Sequence, residues 1–174
     1  MSSLQAQGGM AALALRLVIL TASRTNEVIG ARQAEFDLAS AIWTIPPERM
    51  KAGREHRVPL STASIELLKP LLKPGSSEFV FPAMRGGKHL SNMAMLQLLK
   101  RMERADLTVH GFRSTFKDWA RETTDYPREV SEAALAHIIG DQTEAAYARG
   151  DLFTKRASLM QGWAAYLNEP VRVS

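Results

Sequence analysis

Cysteine is absent from the 174 residues, which excludes disulfides and thiolate catalysis, gives no sign of secretion and fits a reducing, cytoplasmic setting. Histidine is scarce: His56, His89, His110 and His137 form no HxxxH pair, and no DxD-type acidic pair is present, so the spacings that metal catalysis demands are missing. The glycines at RGGK do not extend to a GxxxxGK[ST] phosphate loop, and there is no GxSxG elbow for a serine hydrolase. Long apolar runs are also few. AALALRLVILTA has no basic leader and carries Arg16 in its middle, so it reads as a buried helix and not as a signal peptide or a membrane span. No internal repeat or low-complexity segment interrupts the chain.

What the sequence does contain suits one packed domain spanning 1–174: 45% apolar residues and a net charge of +4 from 22 basic and 18 acidic groups. The cations cluster. Arg49, Lys51, Arg54, His56 and Arg57 fall within nine residues, and Lys100, Arg101 and Arg104 within five, patches suited to phosphates.

Along the chain, strong helix formers predict a helix over 11–23, ended at the polar turn SRTN, with a short second helix in NEVIGAR. FDLASAIWTIP offers two short extended runs. Their partner is HRVPL, reached through PPERMKAGRE, whose prolines and glycine predict a long hairpin loop with its tip near Lys51 to Glu55. Ser61 caps a helix through IELLKPLL, EFVFP reads as a strand, and Ser91 caps a longer helix with Met93, Leu96, Leu99 and Met102 as its apolar face. Thr108 introduces HGFRSTFKDWARET, Pro127 starts REVSEAALAH, and TEAAYAR and LFTKRASLMQGWAAYL complete a mainly α fold with a small antiparallel sheet.

Chemistry-bearing side chains stand where elements begin or end: Arg24 after the first helix, Lys51 on the hairpin, His110 and Arg113 three apart, and His137 ten positions before Tyr147. Singly, each has an ordinary structural explanation, such as a helix-end cation, a solvated loop lysine or a half-buried aromatic. Together they supply what metal-free phosphoryl transfer needs: two guanidinium clamps, proton donors, and a hydroxyl that can form a covalent ester.

TASRTNEV, IPPERMKAGREHRVPLS, HGFR, LAH and AAYARGD, in that order, resemble the boxes of the tyrosine recombinases, the phage integrase family, and are most similar to the prophage and genomic-island branch. The resemblance implies a recombinase catalytic-domain fold with a three-stranded antiparallel sheet. Arg24 and Arg113 would clamp the scissile phosphate, Lys51 protonate the leaving 5′ oxygen, His110 assist proton transfer, and His137 donate to a phosphate oxygen. Tyr147 would be the nucleophile and Glu27 the anchor of Arg24. The basic hairpin residues Arg49, Arg54 and Arg57 are the expected DNA contacts. The implied partners are double-stranded DNA attachment sites and other protomers in a tetrameric synapse, with no cofactor and no membrane.

Two features depart from the wider family pattern: the second histidine box reads LAH, and His137 and Tyr147 are ten positions apart. Such integrases usually carry amino-terminal DNA-binding domains, so a catalytic fragment is expected. The apolar stripe Leu152, Phe153, Leu159, Met160, Trp163 and Leu167 fits either a helix packed on its own chain or a 152–168 segment exchanged with a neighbouring protomer. Rival readings are a type IB topoisomerase, an unreactive recombinase remnant that binds DNA or a partner, and, more distantly, a metal-dependent phosphoesterase.

Overall fold

The apolar run near the start does become the helix around which the rest is built. A computed structural model describes residues 1–73, 75, 77–84, 88–137 and 151–169. After a short α1 (Ser2–Gln5), α2 (Met10–Thr21) buries Ala12, Ala14, Leu15 and the whole stretch from Leu17 to Thr21. Such all-round burial needs neighbours on every side, and α2 packs against α3 (Thr25–Ile29), α4 (Thr62–Leu68), α5 (Ala94–Arg101), α6 (Gly111–Thr123) and the last helix, α8 (Phe153–Asn168). Between α6 and α8 lies α7 (Arg128–Ala134).

The sheet is three-stranded and antiparallel, in the order β1 (Phe36–Asp37), β2 (Ile42–Ile45), β3 (His56–Pro59). Trp43 and Ile45 are fully buried while Ile42 and Thr44 are half-buried, the period of two that a one-sided sheet demands. Trp43 lies opposite Val58 and stacks on Phe36 with ring centroids 5.1 Å apart. The β2–β3 connection turns at Gly53, whose φ of +61° suits glycine.

Ser61 caps α4 as its position suggests, its hydroxyl accepting the Ser64 N–H at 3.3 Å, and Thr108 accepts the Gly111 N–H at 3.0 Å ahead of α6. Three expectations fail. EFVFP forms no named strand: Phe79 and Pro82 make only isolated bridges, to Arg32 and His89, and a proline without an N–H cannot extend a ladder. The helix expected from Ser91 starts at Ala94, with no side-chain cap. Its buried face is Met95, Leu98 and Leu99, while Met93 is 48% exposed, because a strict three-residue spacing drifts off the face of a 3.6-residue helix. The TEAAYAR helix lies outside the described residues.

Helix α8 packs on its own chain. Leu159, Met160 and Trp163 are buried, Trp163 Nε1 donates to the Ile19 carbonyl at 2.7 Å, and its ring meets Phe116 edge-on at 5.5 Å.

Candidate active site

The α2–α3 turn creates the first half of the site. Ala22 ends α2 in the left-handed region, φ 50°, a conformation costing a non-glycine residue about 1–2 kcal/mol. It turns the chain so that Arg24 becomes the N-cap of α3. Glu27 then receives the Arg24 backbone N–H at 2.7 Å and Arg24 Nη1 at 2.8 Å, so both bonds run from Arg24 to one carboxylate. Glu27 is buried and the Arg24 side chain is 29% exposed. One edge of the guanidinium is therefore fixed and the rest faces out. It opens into a cleft of about 640 Å³ lined also by Lys51, His110, Asn92 and Glu48.

Arg113 enters from the first turn of α6 and is 4% exposed. Burying a guanidinium needs acceptors, and it finds them at two helix ends: Nη1 donates to the Ala22 carbonyl and Nη2 to the Leu135 carbonyl at 2.7 Å. Both carbonyls lie where helix dipoles are negative. The residue after Leu135, Ala136, is left-handed at φ 49°, so α7 ends in the same strained way as α2. Burial, then the neighbouring Arg24 charge, pushes Arg113 down to about 10 against the pull of Glu27, leaving it charged at neutral pH. Arg113 Nε has no partner among the described residues. His110, three positions before Arg113, is exposed at the N-cap of α6 and lines the cleft.

His137 follows Ala136. Its Nε2 lies 3.4 Å from Arg113 Nη2 and its Nδ1 is 2.6 Å from Glu132 Oε2. Burial pushes the Glu132 carboxyl up, but hydrogen bonds from Lys117 and His137 outweigh this and hold it at about 2. Lys117 Nζ is 2.7 Å away. An ionised carboxylate only accepts, so the Nδ1 proton points to Glu132 and Nε2 is the nitrogen left to face Arg113.

The hairpin carries Lys51 exposed at the cleft and Arg54 exposed at the turn. The other members of its basic run differ. Arg49 reaches Glu35 and the Glu27 carbonyl; its charge is engaged inside the protein and braces the Arg24 anchor from behind. Arg57 meets Asp151 at 3.3 Å and covers the Phe153 ring at 4.4 Å. His56 is not a cation at neutral pH: burial, then the charge of Arg156, pushes it down to about 4, with Glu27 and the Ala134 backbone pulling upward and Arg24 downward. Tyr147 lies outside the described residues.

Lys51, His110 and Arg24 thus share one cleft, with Arg113 beside Arg24 and His137 beside Arg113. Such a site is built to hold a tetrahedral anion and to move protons near it. The model of the phage integrase family matches residues 2–151. The chain belongs to this family. Relatives of this integrase-family chain include prophage integrase IntA of Escherichia coli (strain K12), 37% identical over 151 residues, covering 84% of the chain and 36% of the relative. Prophage integrase IntZ of the same strain is 40% identical over 157 residues, covering 87% and 38%. The integrase of Shigella phage Sf6 is 34% identical over 165 residues, covering 92% and 42%. The chain therefore spans about two fifths of the length of these curated relatives. Among solved structures, an integrase from mycobacterium phage Brujita has the same fold, with a TM-score of 0.72 at 17% identity over 99% of this chain and 57% of that one. The mainly helical recombinase catalytic fold is thereby established.

Three contributors to the integrase-family site escape sequence reasoning. Glu132 and Lys117 orient His137 from five residues back and from another helix, spacings with no motif value. Asn92 reaches the cleft from ahead of α5. Glu132 alone left a trace, since Arg128 four residues earlier marks a helical ion pair, here at 3.4 Å.

Proposed function

We propose that the chain is the catalytic part of a site-specific DNA recombinase that cuts and rejoins DNA through a 3′-phosphotyrosyl intermediate. Arg24 and Arg113 each donate to a non-bridging oxygen of the scissile phosphodiester. The Tyr147 hydroxyl oxygen attacks phosphorus, its proton passing toward His110, while the bond from phosphorus to the 5′ oxygen breaks and Lys51 gives that oxygen a proton. His137, held by Glu132 through Nδ1, donates from Nε2 to a phosphate oxygen, which requires its doubly protonated form. The new phosphotyrosyl ester conserves the bond energy. A 5′ hydroxyl from a second DNA strand then reverses the step and frees Tyr147. The substrates are double-stranded attachment sites and the partners are further protomers in a tetrameric synapse.

The observation that supports this reading best is the shared cleft of Arg24, Lys51 and His110, with the Arg113 guanidinium close enough to Arg24 to feel its charge. Three cationic or proton-carrying groups lining one cleft, with Arg113 and His137 beside them, are what a phosphoryl-transfer site requires. The test is a nicked suicide duplex carrying the attachment site, incubated with the complete polypeptide that contains this chain, in chelator. A covalent protein–DNA adduct that disappears in Tyr147→Phe is expected. No adduct from the unaltered protein favours an unreactive DNA-binding remnant instead.

A further inference from the structure

Arg156 is 1% exposed, among the most deeply buried side chains in the molecule, although it carries a charge. Burial lowers its pKa, with the Asp151 charge opposing. Each of its nitrogens is satisfied: Nε donates to the Asp151 carbonyl at 2.6 Å, Nη1 to the Arg57 carbonyl at 2.7 Å, and Nη2 pairs with Asp151 Oδ2 at 2.9 Å. Asp151 Oδ2 also receives Arg57 Nη1 at 3.3 Å, and Oδ1 accepts the Phe153 N–H at 3.1 Å. The Phe153 ring lies 4.4 Å from the Arg57 guanidinium and 5.6 Å from that of Arg156. Leu152, between Asp151 and the helix, is held left-handed at φ 53°.

This arrangement exceeds what docking α8 requires. Leu159, Met160 and Trp163 already bury the helix, and a buried ion pair stabilises little more than well-packed apolar side chains in its place. What it adds is placement. By gripping both the carbonyl and the carboxylate of Asp151, Arg156 fixes that residue's position and orientation. It ties them to β3, the strand that leads out of the Lys51 hairpin. On the other side, the His137 N–H is bonded to the Glu132 carbonyl at 3.0 Å.

We propose that Asp151, Arg156, Arg57 and Phe153 form a positioning lock that sets the reach of Tyr147 toward the phosphate and its register with Lys51. This rests on the reading of Tyr147 as the nucleophile. Tyr147 stands four positions before Asp151, and four residue steps of chain span at most about 14 Å. Fixing Asp151 therefore limits where the nucleophile can be delivered. Releasing it lowers the nucleophile's effective concentration while Arg24, Arg113 and Lys51 stay as they were. These four are positioning residues: none of them lines the cleft of Arg24, Lys51 and His110.

The test compares two nucleophiles in the complete polypeptide. In Asp151→Asn, the helix-capping acceptor remains but the charge on Arg156 loses its partner. The expected result is a fall of about tenfold or more in the rate of the tyrosyl adduct on a suicide duplex, since misplacing a reacting group by an ångström costs up to about 10²-fold. The same substitution is then made in a Tyr147→Phe background with hydrogen peroxide as the external nucleophile, its oxygen attacking phosphorus as the bond to the 5′ oxygen breaks. That cleavage is expected to be unchanged. Equal loss with both nucleophiles shows that the cluster supports the phosphate site and overturns the proposal, as does an unaltered adduct rate. An adduct that persists in Tyr147→Phe defeats the nucleophile reading itself, and the lock with it. Phe153→Leu, which removes the ring lying against the Arg57 and Arg156 guanidinium groups, carries the same comparison should Asp151→Asn not accumulate as folded protein.

Discussion

Arg113 and His137 meet where α6 faces the end of α7, with Arg113 Nη2 3.4 Å from His137 Nε2 and His137 Nδ1 2.6 Å from Glu132. The buried arginine is thus fixed by two helix-end carbonyls, and the histidine beside it by a carboxylate.

That rigidity depends on the planar fork of arginine. Lysine at 113 keeps a charge but cannot reach the Ala22 and Leu135 carbonyls together while presenting donors outward. Arg113→Lys is expected to slow covalent adduct formation by about 10²-fold or more, the scale of losing a positioned oxyanion donor, with DNA affinity nearly unchanged in a mobility-shift titration. A near-normal adduct rate contradicts the assigned role.

Two acid-sensitive windows follow from groups whose pKa is depressed by folding. His56 falls from 6.5 to about 4 and Glu132 from 4.5 to about 2. In each case the unfolded chain binds the proton more readily, so stability is present above the unfolded value and declines as pH drops toward the folded one. Urea unfolding against pH should show His56→Gln flattening the slope between pH 6.5 and 4, and Glu132→Gln flattening it between 4.5 and 2. Parallel slopes in variant and parent refute the assignment.

The hairpin cations separate by function. Arg54 is exposed, whereas Arg49 is tied to Glu35 and the Glu27 carbonyl. Arg54→Met is expected to reduce the salt dependence of DNA affinity by about one counterion. Arg49→Met should leave that slope intact and lower stability by about 1–3 kcal/mol through its orphaned acceptors. The reverse pattern makes Arg49 the phosphate contact.

Helix α8 closes the core through Trp163, whose ring is buried among Phe116, Trp119 and Tyr166. Trp163→Ala should cost about 3–5 kcal/mol in equilibrium unfolding, as for other large-to-small core changes. A loss below 1 kcal/mol shows that α8 contributes little to the core of its own chain.

Features governed by neighbours in sequence were legible without the fold. The Ser61 cap, the Thr108 turn, the apolar α2 and the hairpin around Gly53 each follow from local backbone preference or period. Features governed by distant neighbours were not. Arg49 and Arg54 look alike in a basic run, and only the approach of Glu35 separates them. His56 loses its charge to burial and to Arg156, a hundred residues later in the chain. The α5 face was misjudged because Leu98 and Leu99 are both buried, which a spacing of three does not anticipate. At the site, type and order of residues revealed the candidate chemistry, whereas Glu132 and Lys117 became visible only when α6 and α7 were brought together.

The most direct test of the central claim uses the scarcity of tyrosine. The chain has three, Tyr126, Tyr147 and Tyr166, of which Tyr126 and Tyr166 are exposed. Trapping the covalent complex on a suicide duplex, digesting it and locating the nucleotide-bearing peptide by mass spectrometry identifies the attacking group. The account predicts attachment at Tyr147; attachment at Tyr126, Tyr166 or a serine contradicts it.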